Sequence, residues 1–510
     1  MRYQRTITES IAHWGDRVII VAILLEMAFF FSLPNLAGCF MTLVSWCIFK
    51  RIGLQERYII NHFFPWLVFL SMSLYRILPL IATLMEWKPV SYCFKVPFET
   101  FFGETLLYAI SAFAFWLVAR TDSNNAMKRF CDKIGLYRHI DSTEMWLLGF
   151  IGLAVSLFVR GVEMGDAGGK FLQGVAFVRF APFLISFPSL WDPRRKDVVF
   201  VRDNYVIYYF LLLFLLSMSG NSRYALLEPF GTVFLLFLIS IIKTGKPIRY
   251  YIRPKFAVIM IISVFVIMPA LSDVSTAMLS VRAVRKDVSS QQLFELTWNA
   301  FWDKERLREI EYMAKLRAAD EVSEDWDETY IDNFAFNRFC NMRITDVALY
   351  NGEQAVERGN RETLQNDLVD RSIRLLPTPV LKAFNLDARK VGFGSRGDML
   401  KAMSYGQPVF ISLLVTSHLG DGLATFGYWY FIIQFILFFL ELKLIDTFSC
   451  MKRGQVVYSV MGLIVVFSFL GQFRNANGCS GEIAYLLRGY WQDLLLFAIA
   501  LKVVSLARNK

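Results

Sequence analysis

The sequence predicts an all-α polytopic membrane protein with about twelve transmembrane helices and one large extracytoplasmic loop domain after the ninth. Hydrophobic residues make up 55% of the 510 residues and charged residues only 19%, a composition too apolar for a soluble globular protein. The apolar residues gather in separate runs, each long enough to cross the ~30 Å hydrocarbon core of a bilayer as a helix.

The apolar runs give the expected spans in order. They are roughly 17–33, 36–50, 59–85, 98–119, 145–159, 171–190, 204–218, 224–242, 256–272, 424–445, 456–471 and 484–503. No small-residue cleavage site follows the first run, so the first span is expected to be retained and not removed as a signal peptide.

The positions of Lys and Arg predict the orientation of these spans. With the N-terminus in the cytoplasm, the inner connections hold 26 Lys and Arg residues and the short outer loops about seven. The positive-inside rule therefore places both termini in the cytoplasm of a bacterial inner membrane and the segment 273–423 outside. Because the net charge of +10 is explained by these inner loops, no nucleic-acid partner is expected.

The predicted organisation is a bundle of about nine spans over 1–272, a loop domain over 273–423, and a bundle of about three spans over 424–510. Between Asp273 and Gln407 the loop carries 19 Lys and Arg against 22 Asp and Glu, with no run able to span. The apolar stretch 408–417 is too short to cross, so it is interpreted as a re-entrant or interfacial segment.

An amphipathic helix is predicted within this loop. From 289 onward, apolar residues fall near helical spacing: Phe294, Trp298, Phe301, Trp302 and later Leu307, Ile310 and Met313. Two interpretations are open: the apolar face packs on the core of its own domain, or the helix lies in the membrane interface.

Metal and cofactor sites are not predicted. The seven Cys show neither metal-ligand spacing nor a CxxC pair, and the four His have no carboxylate cluster beside them in the sequence.

Arginine at membrane depth is costly and needs a physical reason. Arg76, Arg179 and Arg488 lie within expected spans, and Arg160, Arg223 and Arg474 lie at outer span ends; all six fall in the outer half of the bilayer or at its edge. Each one alone is explained by snorkelling or by pairing with a carboxylate. Together they suggest a site for an anion at the outer leaflet, and a lipid pyrophosphate suits guanidinium groups well.

Three segments carry a resemblance to a known family. SGNSRYALLEPFG (219–231) resembles the S-G-S-R-x-A-L-L signature of the bacterial O-antigen polymerase and ligase superfamily. HLGDGLATFGYWYF (418–431) is similar to the G-D-x-x-x-x-F-G-[WY] segment of exopolysaccharide and O-antigen polymerases. FNRFCNMRITDVALYN (336–351) resembles an Arg-containing helix of the family's outer loop, and the predicted layout of spans and loop resembles the family's along the whole chain.

The resemblance implies a GT-C-like membrane glycosyltransferase without a cofactor. It would polymerise undecaprenyl-pyrophosphate-linked oligosaccharide repeat units, with membrane lipids, a chain-length regulator and a flippase as further partners. The alternatives are an O-antigen ligase, which delivers glycan to lipid A-core, and a lipid-linked oligosaccharide flippase or transporter; the large outer loop argues against the flippase.

The resemblance also implies roles for particular residues. His418 and Asp421 are the catalytic candidates, with a structural His and a helix N-cap as the competing interpretations. The candidate ligands for pyrophosphate or glycan are Arg223, Arg160, Arg179, Arg282, Arg285, Arg338, Arg396 and Arg474. For the loop arginines, salt bridges with the loop's many carboxylates are the alternative.

Overall fold

The structure of the protein is a computed structural model. It describes residues 7–121, 126–159, 174–219, 223–245, 273–274, 276–278, 280–281, 288, 290–310, 312, 326, 328, 330–337, 339–376, 378–386, 394–412, 414–471 and 478–508. Within these ranges the regular structure is helical apart from β1 (Ser449–Lys452) and β2 (Gln455–Tyr458), which confirms the all-α prediction.

The α-helices follow one another along the chain. They are α1 (Ile7–Phe29), α2 (Leu33–Ile48), α3 (Glu56–Asn61), α4 (Phe63–Met85), α5 (Pro97–Arg120), α6 (Ala126–Lys133), α7 (Ser142–Val159), α8 (Asn204–Ser219), α9 (Arg223–Thr244), α10 (Ser290–Trp302), α11 (Phe334–Asn337), α12 (Met342–Glu357), α13 (Arg361–Ile373), α14 (Thr378–Ala383), α15 (Arg396–Tyr405), α16 (His418–Phe426), α17 (Tyr430–Ile445), α18 (Val460–Ile464), α19 (Ser468–Gly471), α20 (Cys479–Ala484) and α21 (Tyr490–Arg508). A 3₁₀ helix covers Ala176–Ser186, and π-helical turns cover Phe49–Gly53 and Tyr485–Gly489.

Apolar helices of membrane-spanning length are present, as predicted. By length and composition, six segments of the described chain could cross a membrane: Leu33–Gly53, Phe63–Met85, Pro97–Arg120, Leu227–Thr244, His418–Phe448 and Cys479–Arg508. They correspond to six of the expected spans. The count of about twelve stays a prediction, and the expected ninth span, 256–272, lies outside the described residues.

Two expected spans differ from a continuous α-helix. The region 171–190 forms a 3₁₀ helix, Ala176–Ser186, which contains Pro182 and leads into Pro188. Proline cannot donate the hydrogen bond that an α-helix requires. In 456–471 the chain first forms β2, because Arg453 (φ 52°) and Gly454 (φ 74°) make a two-residue hairpin turn after β1. The short helices α18 and α19 follow.

Contacts divide the chain into two compact units. The first unit comprises Met1–Asp122, Ser323–Thr447 and Phe469–Trp491. In it α2, α4, α5 and α17 pack together, and the Phe69 ring stacks on Tyr108 and on Phe115, with centroids 5.5 and 4.8 Å away. Its core is therefore aromatic and closely packed.

Helices of the predicted outer loop pack onto predicted spans within this first unit. The Asp346 carboxylate on α12 accepts hydrogen bonds from the backbone N–H groups of Lys95 and Val96, at 2.9 and 2.7 Å, just before α5 begins. Burial raises the pKa of Asp346 even though these bonds oppose the shift. Thr345 donates to Glu104 of α5 at 2.8 Å. The position of α12 is thus fixed by buried polar contacts.

The second unit comprises Ser123–Val322, Phe448–Ser468 and Gln492–Lys510. In it α7 packs closely against the 3₁₀ helix, where a side chain at Gly152 would lie 2.2 Å from the Arg179 backbone nitrogen. The amphipathic helix α10 buries Leu293 and Thr297. This buried face agrees with packing of α10 on the core of its own domain. Because the indoles of Trp298 and Trp302 are exposed, a location of α10 in the membrane interface stays a prediction.

The amphipathic helix is shorter than the sequence pattern suggests. It ends at Trp302, and helix resumes at 304. Asp303 causes the break, because its carboxylate accepts from the backbone N–H of Arg306 at 3.1 Å and so caps the next helix.

The apolar stretch 408–417 contains neither helix nor strand where it is described. Asp398, in the first turn of α15, accepts hydrogen bonds from the backbone N–H groups of Ser412 and Leu414 at 3.3 and 3.1 Å. The Phe410 side chain is 70% exposed. Hydrogen bonds to Asp398 therefore fix part of the backbone of this segment. Its location in or at the membrane stays a prediction.

Candidate functional site

The candidate site is built around α16, the short helix that begins at the end of the predicted outer loop. Ser417 is its N-cap and accepts from the backbone N–H of Gly420 at 2.9 Å. The interpretation of Asp421 as the N-cap is therefore wrong, because Asp421 lies one turn further on. His418 and Asp421 are both buried in the first turn of α16.

Glycines in the family-like segment have clear structural reasons. Any side chain at Gly420 would lie 2.5 Å from the Ala348 Cβ, so α16 and α12 approach closely only because Gly420 has none. Gly427 ends α16 with φ of 59° and ψ of −148°, a conformation restricted to glycine in practice. These two positions fix where α16 packs and where the chain turns into α17.

Arg396, at the start of α15, is bound to Asp421. Its Nε and Nη2 donate to Asp421 Oδ1 at 2.8 and 2.5 Å, and Nη2 also donates to Thr425 at 2.6 Å. Its Nη1 donates to the Leu364 carbonyl and to Asp367, both at 2.8 Å. All five N–H donors of the guanidinium are thus used. This matches the salt-bridge alternative, and Arg396 as a ligand of pyrophosphate would first have to release these partners.

The pKa of Arg396 depends both on its burial and on its two carboxylate partners. Burial lowers the pKa of Arg396, but Asp421 and Asp367 raise it by more, so the net shift is upward and the guanidinium stays charged. Arg396 therefore fixes the orientation of the Asp421 carboxylate.

The second oxygen of Asp421 is left without a partner. Oδ2 is buried and has no hydrogen-bond partner among the described residues, and the same holds for Thr416 Oγ1. A side chain at Gly478, just before α20, would lie 2.4 Å from Oδ2. Buried polar atoms are nearly always paired, so an unpaired carboxylate oxygen indicates a functional position.

His418 lies beside a buried carboxylate. Its Nδ1 is 3.0 Å from Glu482 Oε1, and both side chains are almost fully buried. The two atoms are within ion-pair distance but not aligned as a hydrogen bond, and neither ring nitrogen has another partner in the described chain. The amide of Gln434 donates to both Glu482 oxygens at 2.7 and 2.8 Å. A carboxylate held in this way beside an imidazole is an arrangement that can orient a general base.

Arg179 belongs to the second unit and has a different environment. Its Nη2 donates to Glu228 at 2.8 Å, its Nη1 donates to Ser156 at 3.2 Å, and the guanidinium lies over the Phe180 ring. Glu228 lies five positions after Arg223 in the sequence. In this structure it pairs with Arg179.

The remaining arginines are only partly covered by the structure. Arg223 is the first residue of α9. Arg160, Arg282, Arg285, Arg338 and Arg474 lie outside the described residues. Arg76, the intramembrane arginine of α4, donates to Glu104 at 2.6 Å and so follows the carboxylate-pairing interpretation.

Sequence reasoning missed four polar residues of this region: Tyr430, Gln434 and Glu441 on α17, and Glu482 on α20. The first three fall at i, i+4 and i+11, which places them on one face of a helix. All four side chains are buried. The sequence did contain a signal, because polar residues lie on one face of an apolar span. Buried carboxylates inside a span are as costly as arginines and therefore need a physical reason too.

No group of three or more His, Cys, Asp or Glu suited to a metal ion occurs among the described residues. The expected independence from metals and cofactors stays a prediction.

The structure brings His418, Asp421 and Arg396 together in the first unit, with Glu482 and Gln434 added, whereas Arg179 lies in the second unit. Functional inference for this chain rests on its own residues, because no family model, curated protein or solved structure matches it.

Proposed function

We propose that this protein is a GT-C-like membrane glycosyltransferase that polymerises oligosaccharide repeat units carried on undecaprenyl pyrophosphate at the periplasmic face of the inner membrane. The observation that supports this most directly is the pair of buried acid–base centres on the first turn of α16, His418 beside Glu482 and Asp421 held by Arg396. The predicted topology puts this turn at the outer end of a span.

The chemistry requires a base and a leaving group. A hydroxyl of the acceptor sugar attacks the anomeric carbon of the donor glycan, and its proton passes to a base. The bond between the anomeric carbon and the pyrophosphate oxygen breaks, and the lipid pyrophosphate leaves with the bonding electrons. Both His418 and Asp421 are candidates for the base, since each has an unpaired buried acceptor atom among the described residues.

The leaving group needs positive charge. Arg396 has its donors engaged, so the contact with pyrophosphate falls in this proposal to Arg223 and to the other predicted arginines at the outer side. Guanidinium donates two parallel hydrogen bonds to a phosphate and keeps its charge at any physiological pH.

Two rivals make different products. An O-antigen ligase uses the same donor but transfers the finished glycan to lipid A-core. A flippase moves the lipid-linked unit without forming a glycosidic bond, and it needs no base at the outer side.

The test is deletion of the gene followed by electrophoresis of the surface polysaccharide. Loss of a polymerase leaves single repeat units on the core, whereas loss of a ligase leaves none. Complementation by the wild-type gene should restore the ladder, and a gene that carries both His418→Gln and Asp421→Asn should not. His139→Gln is the matched control, because His139 is an exposed imidazole stacked on Trp191. An unchanged ladder after deletion would rule out both the polymerase function and the ligase function.

A further inference from the structure

One face of α17 carries polar groups through the interior of the first unit. Tyr430, Gln434 and Glu441 lie on this buried face together with Phe438, whose ring packs 6.0 Å from the His418 ring. Polar residues inside a membrane span are expensive and mark functional pathways more often than structure. This face therefore leads from the candidate site into the span.

Glu441 is the most unusual member of this face. Its side chain is fully buried, with 0% exposure, and neither carboxylate oxygen has a hydrogen-bond partner among the described residues. Glu441 lies two helical turns beyond Gln434 on the same side of α17. No ion pair to it occurs in the described chain either.

In the described part of the chain, no cation of the elements packed on α17 forms an ion pair with Glu441. These elements are α4, α5, α16, α20 and the π-helical turn after α20. Arg76 of α4 is bound to Glu104 of α5, and Arg396 is bound to Asp421 of α16. The ionisable side chains on these elements and on α17 itself are Tyr75, Arg76, Glu99, Glu104, Tyr108, Arg120, His418, Asp421, Tyr430, Lys443, Cys479, Glu482, Tyr485 and Arg488.

The two buried glutamates have opposite environments. Glu482 accepts two hydrogen bonds from Gln434 and lies beside His418, and both contacts stabilise a negative charge. Glu441 has neither, and an ionised carboxylate without partners costs several kcal/mol in a buried position. Proton binding removes that cost, because a neutral carboxyl group is much easier to bury than a charged one.

We propose that Glu441 is a proton-binding site in the interior of the first unit. The ligand is a proton and not a metal cation, because a hard cation needs several oxygen ligands and no group of three or more His, Cys, Asp or Glu suited to a metal ion occurs among the described residues. This inference does not depend on the identity of the substrate, so it stands or fails separately from the proposed polymerase activity.

The test is infrared spectroscopy of the full-length protein in lipid as pH is varied. The wild type should show the carbonyl stretch of a protonated carboxylic acid at neutral pH, and Glu441→Gln should lose it. Glu353→Gln is the control, because Glu353 is an exposed carboxylate of α12 and its replacement should leave the band unchanged. If Glu441→Gln fails to fold, Glu441→Asp keeps a carboxyl group and should shift the band. A wild-type spectrum in which these variants change no protonated-acid band would overturn the site.

A further arm tests the identity of the ligand. Exchanging K⁺ for Na⁺ at fixed pH should leave the band intact, and its loss in Na⁺ would show that a metal cation occupies the site.

Discussion

Two arginine–carboxylate centres in this protein have similar chemistry and contrasting surroundings. In the first unit, Arg396 is only 3% exposed and is bound by two carboxylates, Asp421 and Asp367. In the second unit, the Arg179 side chain is 22% exposed and is bound by one carboxylate, Glu228. Both ions are paired, so the pairing itself does not distinguish a functional centre from a structural one.

The two centres differ in whether nearby buried polar atoms lack hydrogen-bond partners. Around Arg396 the described residues include buried atoms without hydrogen-bond partners, among them Asp421 Oδ2 and both ring nitrogens of His418. Around Arg179 the neighbouring Ser156 hydroxyl is itself hydrogen-bonded, both to Arg179 and to the Gly152 carbonyl. A protein tolerates unpaired buried polar atoms where function requires them. The comparison therefore favours α16, and not the Arg179 pair, as the centre of the chemistry.

The strongest test of this comparison is to replace the two ionisable side chains on the first turn of α16. We expect Asp421→Asn or His418→Gln to reduce polymerisation by roughly 10²- to 10⁴-fold, depending on which of the two is the base, because general-base catalysis contributes on that scale. The measurement is glycan chain formation per folded protein. Asp370→Asn is the control, since Asp370 is exposed on α13. Full activity in both α16 variants would show that neither side chain is the base.

The second expected effect concerns the stability of the two centres. Arg396→Met leaves buried Asp421 without its partner, and we expect a loss of about 3–5 kcal/mol in the free energy of unfolding. Arg179→Met acts at a partly exposed pair, so a loss of about 1 kcal/mol or less is expected. Denaturation of the purified proteins in detergent measures both. Equal losses at the two positions would remove the contrast between them.

The third prediction concerns Arg223, which begins α9 in a segment of the second unit. If it holds the donor pyrophosphate through two parallel hydrogen bonds, Arg223→Ala should lower activity by roughly ten- to a hundredfold, because a charge-assisted hydrogen bond contributes ~1.5–3 kcal/mol. Arg223→Lys should keep only a small fraction, since lysine lacks the planar fork. Protein abundance should stay near that of the wild type.

The structure supplies a sharper control for that test. Because Glu228 pairs with Arg179, Glu228→Ala and Arg179→Ala should lower abundance to a similar degree. Wild-type chain lengths from a well-expressed Arg223→Ala variant would contradict the pyrophosphate role.

The smallest expected effect is that of metal removal. We expect activity to survive EDTA, because arginines at the outer side neutralise the leaving group in the proposed mechanism. Assay of polymerisation in chelated membranes measures this. Complete inhibition that Mg²⁺ or Mn²⁺ restores would show that a metal ion takes part.

The sequence was informative about helices and less so about their interruptions. The runs now seen as α4 and α5 were recognisable from length and composition alone, since lipid demands about twenty apolar residues per helix. The runs 171–190 and 456–471 met the same criterion. They differ because Pro182 and the turn at Arg453 and Gly454 impose local geometry that average hydrophobicity does not record.

The candidate site was partly visible in the sequence. His418 and Asp421 stood out because they precede an apolar span in a family-like segment, and the structure brings both into one buried cluster. Glu482 and Glu441 were overlooked because each is a single carboxylate in an apolar run. Their importance depends on which side chains they contact in the folded protein, and the sequence alone does not show those contacts.

The sequence by itself therefore determined the features that depend on the surrounding solvent. Apolar runs partition into lipid, and cationic loops favour one side of the membrane. Only the tertiary structure decided the partners of the buried charges. Arg396 and Asp421 are 25 positions apart, and Gln434 and Glu482 are 48 apart. Such pairs form because packing of the helices removes water from each charge and leaves one particular side chain to replace it, and that choice depends on the packing of the whole unit.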